Sequence, residues 1–141
     1  MSRDFNRREL LLTAAGAWLG SGALSQALGA SSRAPRKKIL YFTKSAGFQH
    51  SVVARQGKAL AHSERILSEI GKDRGFDVVA SKDGRLFEPD RIGEWDGFVF
   101  CTTGDLTTPG TDGSPPLSAA GEKAVYDAVK NGKGFVGMPC A

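Results

Sequence analysis

Four short, largely apolar runs, ILYFT (39–43), FDVVA (76–80), FVFCT (98–102) and FVGM (135–138), alternate with helical or loop segments. This alternation constrains the fold more than any other feature. Strands separated by crossover-length segments form a parallel sheet covered by helices, which makes the expected fold class α/β. The spacing predicts strands over Ile39–Thr43, Phe76–Ala80, Phe98–Thr102 and Phe135–Met138. A helix is expected from about Val53 to Ile70, where Leu60, Leu67 and Ile70 recur near helical spacing, with Gly71 as its stop. The stretch FEPDRIGEW supports only a short helix or an irregular crossover, and Ser118 is placed to cap a helix running to about Asn131. A strand apolar on both faces needs neighbours and cover, so the sheet is expected to be truncated after its fourth strand.

The first 27 residues do not belong to that fold. Arg7 and Arg8 precede the apolar stretch Leu10–Leu24, and SQA at 25–27 suits a signal peptidase. This pattern predicts a cleaved export signal of the twin-arginine type, and hence a periplasmic or secreted protein. The stretch is short for a bilayer and diluted by Gly, Ser and Thr, so no stable membrane anchor is expected. Cleavage removes Arg3, Arg7 and Arg8 with Asp4 and Glu9, lowering the whole-chain charge of +4 by one. Residues 28–37 read as a flexible basic leader. Its Arg33, Arg36, Lys37 and the adjoining Lys38 lack aromatic interleaving, which argues against nucleic acid.

Three loops leave one edge of the predicted sheet: 44–51, 103–116 and the stretch from Pro139 onward. The crevice at the carboxyl ends of parallel strands is where ligands bind in such sheets. His50, in a Gly-containing loop, suits a general acid, a general base, a metal ligand or a solvated capping residue. Asp105 suits a partner for His50, a ligand to a sugar hydroxyl or metal, or an Asx-type turn. Lys44 offers a positive charge to an anionic or enolate group, and Thr102 and Thr103 offer hydroxyls or a backbone nest. His62 reads as structural. Cys101 and Cys140 form a disulfide only if their strands are neighbours; otherwise Cys101 is a buried thiol and Cys140 a possible elbow nucleophile. GKGFVG follows a helix and enters a strand, the reverse of a phosphate loop.

Together, ILYFTKSAGFQHS, WDGFVFCTTGDL and KAVYDAVKNGKGFVGMPCA resemble three ordered blocks of the ThuA-like (trehalose utilisation) family, across the chain from Lys38 to its end. The resemblance implies a flavodoxin-like three-layer sandwich of the class I glutamine amidotransferase type, without that activity. It also implies a carbohydrate substrate, with acid–base chemistry on a sugar, keto-sugar or glycoside. Residue by residue it carries over Gly47, Phe48 and His50, then Thr103, Gly104 and Asp105, then Gly134, Phe135, Val136 and Gly137. In this reading His50 and Asp105 are catalytic, and Lys44, Gly47, Phe48, Thr103 and Gly104 bind substrate. A metal would stabilise an enolate, but no cofactor is specified. Pro139 stands where the family has a histidine, and proline supplies neither an ionisable group nor a backbone donor. The chain alone is therefore expected to be inactive; the alternatives are a non-catalytic sugar-binding module and the product of a truncated or degraded gene.

Overall fold

A computed structural model of the chain describes residues 35–138. The export signal, the first part of the leader, the Pro139 elbow and the pairing of Cys140 with Cys101 all fall on or depend on positions outside the described residues. The elements are β1 (Lys38–Phe42), α1 (His62–Arg74), β2 (Asp77–Ser81), β3 (Gly97–Phe100), α2 (Ala119–Lys130) and β4 (Gly134–Gly137). Short 3-10 turns lie at Ser51–Val53, Gly84–Phe87 and Ile92–Glu94. Among the described residues no helix is long and apolar enough to cross a membrane.

All four strands are parallel, in the order β2-β1-β3-β4. Leu40 lies beside Val79 on one side and Phe98 on the other, which fixes the register of β2, β1 and β3. This is an α/β sheet with flavodoxin-like strand order, as expected. Side chains alternate across a strand. Leu40 and Phe42 therefore enter one core with Phe87, Trp95, Phe98, Leu117, Val125 and Ala128, whereas Tyr41 enters the other with Val53 and Cys101. Helix α2 supplies the first core and Leu67 of α1 packs on the second, so the helices cover opposite faces. β4 lies at the edge with every residue exposed, although Phe135 stacks on Phe100 with ring centroids 5.1 Å apart.

The first helix departs from the expectation. Val53 belongs to a 3-10 turn and α1 starts at His62. Glu64 sets that start by accepting a hydrogen bond from the Ala61 backbone N–H at 2.9 Å, satisfying a donor that the first turn leaves open. Gly71 lies inside the helix, and the stop is Gly75, in the left-handed region with φ 83°. Ser118 caps α2 as expected, accepting from the Gly121 N–H. At the amino end of the unit, Arg36 donates to the Gly71 and Phe76 carbonyls and pairs with Asp77, and Lys37 pairs with Asp96. These basic residues are thus tied to the sheet.

Candidate functional site

β1 leaves the sheet through Thr43, Lys44 and Ser45, all buried. The loop after β3 does not hang free above them. Ser45 bridges Thr103, the Ala46 N–H donates to the Thr103 carbonyl at 2.8 Å, and the Thr103 hydroxyl donates to the Phe48 carbonyl. Farther along, the Thr111 N–H donates to Ser45 O and the Gly84 N–H to Pro115 O, so the loop crosses from β3 over β1 to the end of β2. Gly104 makes the crossing possible. Its φ is +72°, and a Cβ there would lie 1.7 Å from the Ala46 carbonyl oxygen, closer than any side chain allows.

Two buried lysines hold this loop from below. Lys44 is 0% exposed, and its Nζ donates to the Ser114 carbonyl at 3.0 Å with the Ser114 hydroxyl 3.5 Å away. Lys82, just past the end of β2, is 6% exposed; its ammonium lies 3.4 Å from Asp112 Oδ2 and makes no hydrogen bond among the described residues. Burial lowers the Lys44 pKa, Asp112 and Asp83 oppose that shift, and Lys82 adds to it. Burial pushes the Asp112 carboxyl up, but hydrogen bonds from Ser114 and the Lys82 charge outweigh it and leave the pKa lowered.

Between the loop and the end of β2 lies an open polar crevice of about 420 Å³, lined by Gln49, Arg55, Gly57, Ser81, Lys82, Asp83, Asp112, Gly113 and Ser114. Its Arg55 wall is built from inside. Glu64 is fully buried, accepting from Arg55 Nε at 2.7 Å, from the Thr43 hydroxyl at 2.5 Å and from the Ala61 N–H. Burial alone would raise the Glu64 pKa, but the Arg55, Thr43 and Ala61 hydrogen bonds hold it below its ordinary value. Arg55 Nη2 donates to the Ala80 carbonyl, so the guanidinium is fixed in orientation. Asp83 faces the crevice while bound by Arg85, whose hydrogen bonds hold its pKa low.

The residues singled out from the sequence divide. Lys44, Phe48, Thr103 and Gly104 meet in the loop-to-loop junction, and Gly47 provides the turn before Phe48 with φ 98°. Phe48 is 66% exposed and meets the His50 ring edge-on, with centroids 4.8 Å apart. The His50 carbonyl accepts from the Val53 N–H at the start of the 3-10 turn. Asp105 takes the turn role: its Oδ1 accepts from the Thr107 N–H and hydroxyl, which keep its pKa low. It borders a separate, mainly apolar cavity with Phe100, Leu106 and Phe135. His62 is exposed at the start of α1, 3.4 Å from Arg65, and Cys101 is buried just past β3 in the core with Tyr41.

Arg55, Glu64, Lys82, Asp112 and Ser114 were not anticipated. One available signal was that TKS just after β1 and SKD at the end of β2 carry lysines at neighbouring strand ends once the two strands pair in parallel. Among the described residues no group of three His, Cys, Asp or Glu side chains is placed to hold a metal. No family model, curated protein or solved structure matches the chain. The protein class defined here is that of the fold: a parallel α/β sheet with a polar crevice at the carboxyl ends of its strands.

Proposed function

We propose that the chain is an exported ThuA-like protein whose carboxyl-edge crevice binds carbohydrate. The observation that carries this reading is an exposed aromatic ring, Phe48, one residue before Gln49, which lines a crevice of hydroxyl, amide and charged groups. A sugar ring has an apolar face and a polar rim. It needs a flat apolar platform beside convergent hydrogen-bond donors and acceptors.

In this reading His50, on the other side of Gln49, is the side chain suited to carry a proton for sugar chemistry. Asp105 contributes through its turn, because its carboxylate accepts from the Thr107 N–H and hydroxyl. Export places the protein outside the cytoplasm, delivered by the twin-arginine machinery.

Saturation-transfer NMR with a panel of mono- and disaccharides tests the binding reading. Transfer to sugar protons is expected with the wild-type chain and is expected to fall several-fold in Phe48→Ala. A panel without transfer, or transfer unchanged in Phe48→Ala, would count against it.

A further inference from the structure

A second cavity, of about 390 Å³, shares no lining residue with the polar crevice. Strands β3 and β4 supply Phe100 and Phe135, whose ring centroids are 5.1 Å apart; α2 supplies Glu122 and Tyr126, and the loop after β3 supplies Asp105. Two of its aromatic rings remain open to water, Tyr126 at 67% and Phe135 at 47% exposure. Exposed aromatic surface gathered around a concavity, with a few polar groups at its edge, is the composition of a ligand site.

The charge of this cavity is one-sided. Asp105 and Glu122 line it, and no Lys or Arg does. Neither carboxylate joins an ion pair among the described residues, and the adjacent Lys123 is held by Asp127. The two Thr107 bonds to Asp105 both end on Oδ1, which leaves Oδ2 facing no donor among the described residues. The positive end of α2 offsets about half a charge, so two carboxylates keep the lining negative.

Aromatic faces and carboxylates attract the same kind of ligand, a cation. The walls are mainly apolar, which suits a cation that carries its own apolar surface and gives up little hydration on entry. A metal ion needs several oxygen ligands, and among the described residues no group of three His, Cys, Asp or Glu side chains is placed to supply them. We infer that this cavity binds a small quaternary ammonium ion, with its methyl groups against Tyr126 and Phe135 and its charge facing Asp105 and Glu122. The site goes beyond the carbohydrate reading and stands independently of it.

The test is titration of the full chain with choline chloride, followed by calorimetry and by backbone-amide NMR at constant ionic strength. The comparison ligands are 3,3-dimethyl-1-butanol, which has choline's shape without its charge, and ethanolamine, which has the charge without the methyl groups. Choline is expected to bind about tenfold tighter than either, with shifts concentrated at Gly104, Leu106 and Glu122. Tyr126→Ala and Glu122→Gln are each expected to weaken choline binding several-fold, whereas Tyr126→Phe keeps the ring and is expected to retain it. Tyr126 is largely exposed, so its truncation leaves the core in place, and circular dichroism of each variant checks the fold.

Equal binding of the neutral alcohol would overturn the cationic class, and ethanolamine binding as tightly as choline would overturn the quaternary one. Choline shifts concentrated elsewhere, or affinity unchanged in both Tyr126→Ala and Glu122→Gln, would overturn the site. Absence of choline binding at millimolar concentration would overturn the inference outright, and none of these results bears on the sugar panel.

Discussion

The Nζ of Lys44, at the end of β1, donates to the backbone carbonyl of Ser114, seventy residues later, across 3.0 Å in the interior of the protein. A lysine that caps its own strand thereby anchors the loop leaving β3. Lys82 does the same from β2 through Asp112. The edge of the sheet is consequently a built surface, with two strand ends and one long loop joined around a polar crevice.

Lys44 gives stability a characteristic dependence on alkaline pH. Burial lowers its pKa in the fold from the ordinary 10.5, despite the opposing charges of Asp112 and Asp83. Between the lowered value and 10.5 the unfolded chain binds more protons than the folded one, so this group makes stability rise with pH in that window. Below the window its full penalty remains. Urea denaturation from pH 7 to 10 is expected to show this contribution in the wild type and its loss in Lys44→Met. Equal slopes in the two proteins would contradict the assignment.

Glu64 acts at the other end of the pH scale. Its folded pKa is lowered from 4.5, so its stabilisation is fully present above that value and is lost as pH falls through the lower folded value. Glu64→Gln is expected to flatten the acid limb of a stability–pH profile. Glu64→Ala strands Arg55, Thr43 and the Ala61 N–H together. It is expected to cost about 3 kcal/mol in chemical denaturation, toward the lower end for a broken buried pair because Arg55 retains access to water.

Gly104 and Gly47 separate two uses of glycine. Both have positive φ, but a Cβ at Gly47 meets nothing within 4 Å whereas one at Gly104 would strike the Ala46 carbonyl. Gly47→Ala is expected to cost about 1 kcal/mol from backbone strain alone. Gly104→Ala should cost at least about 2 kcal/mol and loosen the loop junction. Hydrogen exchange at the Ala46 and Thr111 amides reads that loosening directly, and unchanged exchange in Gly104→Ala would show that the junction does not depend on this approach.

The strands were legible in the sequence because their apolar runs are buried in a parallel sheet, where Leu40, Tyr41 and Phe42 each enter a core. Ser118 was legible because capping is a local interaction. The onset of α1 was not, since it depends on Glu64 turning back to Ala61 and on the 3-10 turn that buries Val53. The crevice was only partly legible. The loops carrying Phe48 and Thr103 were placed at the correct edge, but nothing local to Lys82 marks it as buried. Its burial follows from the β3 loop crossing to β2, a long-range path with no local sequence signature. Asp105 was ambiguous for the opposite reason: its turn chemistry with Thr107 is local, and the turn role is the one it adopts.

The most direct measurement of the central claim is a backbone-amide NMR titration of the full chain with carbohydrate, following chemical shifts residue by residue. The account predicts saturable shifts concentrated at Gln49, Gly57, Gly113 and Ser114, the edge of the polar crevice. Shifts concentrated instead at Gly134, Phe135 and Val136, in the apolar groove on the β4 side, would contradict it.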